Sequence, residues 1–331
     1  MMKVLLLGAT GLLGHNVLKR LVDEGHTGVV LVRTPSRILT ETAGFKVMEG
    51  DIADRDTLSA AAHGCDSIVN CAGVTDMSLL HLDDYTAINH TLCNHLIDVM
   101  EYHRIKRLVH VSTVNTIGYG SASQPSDESA PPRKPFSDSY YTESKRRGEQ
   151  AILSAAASHP DWHAVVVNPG YLLGPMDAKP SSGRMLQIGY RRRLMLSPSG
   201  GKAFVDVRDV ATAVVNALDH GKNGERYIAT NSHGYLAISE LYKLQAQVMG
   251  YRQAVVKIPD WAMAVAGCVG DMLRHVGIRT ELSSCNVRQL MVHEYYDNHR
   301  AVDELNMPET PIGQAIQDFH AWNIQRKTIK N

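Results

Sequence analysis

Gly8-Ala9-Thr10-Gly11-Leu12-Leu13-Gly14 follows the apolar run Met2-Lys3-Val4-Leu5-Leu6-Leu7 and opens an amphipathic segment over residues 15–23. An apolar run of that length closed by glycine reads as a buried parallel strand, and the segment after it has helical spacing. In the context of strand, glycine turn and helix, the backbone can approach a pyrophosphate seated on the helix N-terminus. The spacing is G-x-x-G-x-x-G rather than G-x-G-x-x-G. By itself the triplet also fits an ordinary turn from strand to helix.

The rest of the first half continues the alternation. Apolar runs at 29–32, 45–48, 67–70, 107–111 and 164–167 read as strands, and residues 84–103 and 138–158 read as helices. This order predicts an α/β fold, a doubly wound parallel sheet with a smaller C-terminal lobe. Ligands of such sheets bind outside the carboxyl ends of the strands. Those ends carry Gly8, Arg33, Asp51, Asn70-Cys71-Ala72-Gly73, Ser112-Thr113 and Asn168-Pro169-Gly170. Residues 1–170 are assigned to the nucleotide-binding domain, with return segments near 203–230, the first expected near 203–207. Residues 171–331 are assigned mainly to a substrate lobe. The Ser- and Pro-rich stretch 121–134 reads as a surface loop over the site.

Composition narrows the function classes. The 331 residues are 44% hydrophobic, and 34 Lys and Arg balance 34 Asp and Glu, so nothing points to nucleic acid or an anionic membrane surface. Cys65, Cys71, Cys93, Cys268 and Cys285 are widely spaced and form no C-x-x-C pair. Reduced thiols in a cytoplasmic protein are expected, with no signal peptide before the first strand and no zinc site. The sixteen histidines show no H-E-x-x-H cluster, so no metal is expected. Residues 261–269 are apolar but far short of the roughly 20 needed to span a bilayer. They read as a buried or substrate-facing helix.

Tyr141-Thr142-Glu143-Ser144-Lys145 places a phenol and an ammonium at i and i+4, on one helix face. A nearby cation favours phenolate and brings a tyrosine toward the working range for proton transfer. Ser112 or Thr113, at a strand end, offers a hydroxyl to hold a substrate oxygen.

With these residues in view, the chain resembles an extended short-chain dehydrogenase/reductase of the NAD-dependent epimerase/dehydratase superfamily. The resemblance runs through Gly50-Asp51-Ile52-Ala53-Asp54, Asn70-Cys71-Ala72-Gly73, Asn89-His90-Thr91, Val111-Ser112-Thr113 and the Tyr141 to Lys145 pair. It continues in Asn168-Pro169-Gly170, Phe204-Val205-Asp206-Val207-Arg208-Asp209-Val210-Ala211, Tyr296-Asp297-Asn298 and Trp322. It implies Tyr141 as general acid/base, Lys145 as the group that lowers its pKa and binds the nicotinamide ribose, and Thr113 where the family usually has serine. It further implies cofactor contacts from Gly8, Thr10, Gly11, Leu12, Leu13, Gly14, Arg33, Arg37, Asp51, Ile52, Ala72, Gly73, Asn89, Tyr141, Lys145, Pro169, Gly170 and Tyr171. A homodimer through flanking helices is expected on the same ground.

The second strand ends in Arg33, followed by Thr34-Pro35-Ser36-Arg37, with no acid before Glu41. An acid there suits the ribose 2′-hydroxyl of NAD, whereas arginine suits the 2′-phosphate of NADP. NADP is therefore expected, with NAD possible. Dehydratases of the family carry an Asp-Glu pair after the strand-end hydroxyl; here Val114-Asn115-Thr116 stand instead. The pattern resembles the dihydroflavonol 4-reductase and 3β-hydroxysteroid dehydrogenase branch: hydride transfer between nicotinamide and a carbonyl or secondary alcohol of a small organic substrate. The alternatives are a nucleotide-sugar epimerase with tightly held NAD and a non-catalytic NADP-binding regulator. Tyr171, Met176, Met185, Tyr190, Met195, Trp261 and Met263 are candidates for an apolar pocket. Arg191-Arg192-Arg193 fits either an anionic substrate or a solvated face.

Overall fold

Apolar runs without polar alternation become strands whose two faces are both covered. In the computed structural model, which describes residues 1–179 and 181–330, six of them are β1 (Lys3–Leu7), β2 (Thr27–Val32), β3 (Phe45–Glu49), β4 (Ser67–Asn70), β5 (Arg107–Val111) and β6 (His163–Pro169). Between them run α1 (Leu12–Asp23), α2 (Arg55–Ala62), α3 (Asp83–Thr86), α4 (Leu92–His103) and α5 (Tyr140–Ser158). One π turn, Ala87–Thr91, joins α3 to α4.

The chain then forms β7 (Tyr171–Leu173), α6 (Arg184–Gly189), β8 (Leu194–Ser197), β9 (Gly201–Asp206) and α7 (Val207–Asn216) before β10 (Arg226–Ala229). β10 pairs with β6, giving an all-parallel sheet in the order β10-β6-β5-β4-β1-β2-β3. The order reverses between β1 and β4, the switch point at which such sheets hold ligands. β1 shows why its run is unbroken: Val4 and Leu6 face the layer of α1 and α7, and Leu5 and Leu7 face the layer of α2, α4 and α5. All four are fully buried, and each such side chain contributes about 1.5–3 kcal/mol.

The remaining elements are β11 (Tyr235–Ala237), α8 (Ile238–Val248), β12 (Ala254–Lys257), α9 (Asp260–His275), α10 (Ser284–Gln289), α11 (His299–Leu305) and α12 (Ile312–Lys330). β11, β9 and β7 form a three-stranded sheet, and β12 pairs with β8. Leu173, Phe204, Leu241, Ile316 and Phe319 make a second, smaller core.

Two expectations are corrected. The return to the main sheet is made by β10, not by residues 203–207. β9 lies between two cores, Phe204 facing the small one and Val205 the large one, and is claimed by the three-stranded sheet. The apolar stretch 261–269 is not a buried helix: Trp261, Val265 and Val269 are 73%, 56% and 51% exposed. Glycines set that orientation. A Cβ on Gly267 would lie 2.9 Å from Ser284 Cα, and one on Gly270 would lie 1.6 Å from Leu282 O. α9 therefore packs by its small residues and Met263, which leaves its large apolar residues outward. Among the described residues no helix is long and apolar enough to cross a membrane, and no cluster of metal-ligating side chains occurs.

Candidate active site

The carboxyl edge of the sheet is built first by glycine. Gly8 sits at φ +80°, and a Cβ there would lie 2.5 Å from Ala72 N, so β1 and β4 close on one another only without a side chain. A Cβ on Gly14 would lie 2.1 Å from Gly8 O, and Gly11 N donates to Gly8 O at 3.0 Å. Gly11 caps α1 without a capping side chain. The first N–H groups of the helix thus keep their capacity for an anion. Leu13 is buried beneath this turn, while Thr10 and Leu12 are partly exposed.

At the end of β2, Arg33 is exposed, and Arg37 follows on a 3-10 turn, Pro35–Arg37. Neither arginine makes an ion pair among the described residues. The turn is tied to α1 by His15, whose Nε2 lies 3.1 Å from Arg37 O. Burial holds the His15 imidazole below its ordinary pKa, in the neutral form. Beyond β3, exposed Asp51 accepts from Ala53 N at 3.0 Å, and Ile52 packs against the core beneath.

Beyond β4, Ala72 N donates to Asn70 Oδ1 at 3.1 Å. Asn89, placed inward by the π turn, clasps Val74 from both sides: its Oδ1 accepts from Val74 N at 2.8 Å and its Nδ2 donates to Val74 O at 3.0 Å. The same Nδ2 reaches Ser144 Oγ at 2.9 Å, and Ser144 Oγ donates to Tyr141 O at 2.7 Å. Asn89 thus fixes the Gly73 loop to the helix that carries Tyr141.

The i, i+4 spacing on α5 puts Tyr141 and Lys145 on one face, as the sequence requires. Burial raises the Tyr141 phenol above its ordinary pKa, and a hydrogen bond with the Thr113 hydroxyl opposes that rise. Lys145 is buried, its pKa lowered by desolvation, and its Nζ donates to Val111 O at 2.7 Å. A Cβ on Gly73 would lie 3.9 Å from Lys145 Nζ, so the ammonium stands beside that loop. In this structure the group that tempers Tyr141 is Thr113, and Lys145 is turned to β5. The nearby Ser112 Oγ is buried without a partner. Tyr85 packs 6.4 Å from the Tyr141 ring, centroid to centroid.

Pro169 ends β6 and Gly170 leads into β7. Tyr171 aims its hydroxyl at Ser182 O, 3.3 Å away, and its ring stands edge-on to Phe204 at 5.3 Å. Of the pocket candidates, Trp261 is exposed and Tyr190 stacks on His320.

Sequence reasoning missed the support beneath this edge. Buried Glu149 accepts from Thr116 Oγ1 at 2.8 Å, Asn168 Nδ2 at 2.9 Å and Arg226 Nη1 at 3.0 Å. It ties α5 to the turn after β5, to β6 and to β10 at once. Its only sequence signal is its place one turn beyond Lys145.

The model of the NAD dependent epimerase/dehydratase family matches residues 4–231. The chain belongs to that family. A protein from Synechocystis sp. that carries the provisional name dihydroflavonol 4-reductase is 28% identical over 95% of this chain and 92% of its own. Sterol demethylase protein B from Methylococcus capsulatus is 25% identical over 99% of this chain and 100% of its own. The crystal structure of gox2253 superimposes with a TM-score of 0.81 at 26% identity, covering 98% of each chain. The enzyme is an NAD(P)-dependent oxidoreductase of the extended short-chain type. The family's dinucleotide fits this edge at the start of α1, which no side chain caps and which follows a turn held tight because Gly8 and Gly14 carry no Cβ.

Proposed function

We propose that the enzyme is an NADP-dependent reductase of a small, largely apolar carbonyl compound, with Tyr141 as general acid/base. The observation that carries this reading is the pair Tyr141 and Lys145 one helical turn apart on α5, with Lys145 Nζ bonded to Val111 O at the end of β5, the strand end that Thr113 follows. Gly8, Thr10, Gly11, Leu12, Leu13 and Gly14 would hold the pyrophosphate, and Asp51, Ile52, Ala72, Gly73 and Asn89 the adenosine side of the edge. Pro169, Gly170 and the Tyr171 backbone would flank the nicotinamide. Arg33 and Arg37, without ion pairs among the described residues, suit a 2′-phosphate. When bound, the cofactor supplies the hydride. The protein's own part is to hold the substrate oxygen between the Thr113 and Tyr141 hydroxyls and to give that oxygen the Tyr141 proton. The phenolate left behind is stabilised by Thr113 and by the buried ammonium of Lys145.

The similarity to a dihydroflavonol reductase and to a sterol demethylase protein supports an apolar substrate, and the absence of an acid after Thr113 speaks against dehydration. The five cysteines are unpaired, which suits the reducing cytoplasm. α4 and α5, which flank the sheet, are the proposed faces of a homodimer. The test is fluorescence titration with NADPH and NADH, for wild type and Arg33→Asp. Tighter NADPH binding that reverses in the variant supports the reading. Copurified NAD that resists exchange, indifferent to Arg33, sinks it in favour of an epimerase.

A further inference from the structure

We propose that α9 docks the enzyme onto an anionic lipid surface, lying in the interface rather than crossing it. Among the described residues, eight of the seventeen large apolar side chains left exposed lie from Trp261 to Leu282. Trp261, Val265, Val269, Met272 and Val276 follow one another at steps of four, four, three and four, which is one stripe of a helix. Their exposures are 73%, 56%, 51%, 70% and 70%. The opposite face of α9 is already spent on α10, through Gly267 and Gly270. The stripe therefore has no remaining place inside this chain. Contiguous apolar surface of this kind marks an interaction site.

Charge selects the occupant. The chain as a whole is neutral. Residues 184–197 and 250–290 together carry nine Lys and Arg against three Asp and Glu. Arg191, Arg192, Arg193, Arg252, Lys257, Arg279 and Arg288 are exposed, and none makes an ion pair among the described residues. The pair of strands just before α9 is apolar too: Leu194, Leu196 and Val256 are 58%, 55% and 50% exposed, with Leu196 opposite Val256. An apolar stripe headed by tryptophan and accompanied by unpaired cations is the composition of a helix lying in an anionic interface. A protein partner of matched surface would be met by complementary acids. A bilayer requires only the stripe and the cations.

The same helix is tied to the catalytic edge. Arg274, in its last turn, donates to Met77 O at 3.2 Å and Leu79 O at 2.6 Å, and Asn286 Nδ2 reaches Met77 O at 3.0 Å. Tyr85 closes that loop by donating to Asp76 O at 2.5 Å, and its ring packs beside Tyr141. Docking would set the mouth of the site at the lipid boundary, where an apolar carbonyl compound is most concentrated. The docking itself does not depend on the reductase reading.

The experiment is cosedimentation of the full chain with vesicles of equal phosphatidylglycerol and phosphatidylcholine, and with phosphatidylcholine alone. It is run on wild type, Val265→Asp/Val269→Asp and Arg192→Glu/Arg193→Glu, with thermal stability and NADPH binding as folding controls. The expected result is binding to the anionic vesicles that weakens with salt and falls at least about tenfold in either variant. Quenching of Trp261 by brominated lipid should accompany it and vanish in Trp261→Phe. No binding by wild type, or equal binding by both variants, overturns the proposal. So does a dimer in sedimentation equilibrium that Val265→Asp/Val269→Asp makes monomeric without any lipid binding, since a second copy would then own the face.

Discussion

Tyr141 sits under two opposed influences, burial that raises its pKa and the Thr113 hydroxyl that lowers it. The net rise keeps the phenol protonated at neutral pH, the form that can donate. In the reducing direction kcat/KM should therefore stay level through neutrality and fall only as pH rises through the phenol's raised pKa. In the oxidising direction, which needs the phenolate, the rate should climb with pH over the same range. Initial-rate profiles in both directions check this, and a reductive rate that climbs from neutral to alkaline pH would remove Tyr141 as the acid. Tyr141→Phe should lower turnover by about 10²-fold or more with cofactor affinity kept, as measured by turnover and NADPH titration side by side. Thr113→Val should move the alkaline limb of the reductive profile upward, because the group that opposes burial is lost. Thr113→Ser, which keeps the hydroxyl, should leave the limb where it was.

Between the elements, α5 is the part on which the site depends, and Glu149 is what holds it. Its carboxylate joins Thr116, Asn168 and Arg226, from three different segments, in a nearly dry setting. Glu149→Ala takes the carboxylate from the partly buried guanidinium of Arg226, which keeps only the neutral Glu128 carbonyl, and leaves the amide of Asn168 with Thr113 O and Thr116 Oγ1. The expected loss is about 2–4 kcal/mol of unfolding free energy, read as a shifted denaturant midpoint. Loss of cofactor binding at full stability would refute that structural role. None of these partners was visible in the sequence, because they lie 19 to 77 residues away. What was legible is local or periodic: the run before Gly8, the i, i+4 pair on α5, the strand-end glycines. The orientation of α9 was not legible either. Its apolar residues alone predict burial; two glycines that allow backbone approach to Ser284 and Leu282 reverse that prediction.

Across the whole molecule, two buried groups, Asp209 at the start of α7 and His320 on α12, give opposing pH dependences. Asp209 accepts from Thr310 N at 2.7 Å and Thr310 Oγ1 at 2.8 Å, pinning the segment before α12, and burial raises its pKa to about 6. A carboxyl raised on folding binds more protons folded than unfolded, so its contribution declines as pH rises from about 4 to 6. His320 is the reverse case. Gln245 Nε2 lies 2.7 Å from its Nε2, Tyr190 stacks on the ring, and burial lowers the imidazole to about 4. The unfolded chain binds that proton more readily, so the His320 contribution is present above about 6.5 and is lost as pH falls toward 4. The two slopes offset one another over the window they share. His320→Phe keeps a ring against Tyr190 and removes the titration. The stability of the variant relative to wild type should then improve by about 3 kcal/mol between pH 7 and pH 4. Urea melts of both proteins at half-unit pH intervals measure this. A constant difference across the window would mean that His320 binds its proton equally well folded and unfolded, and would refute the lowered pKa.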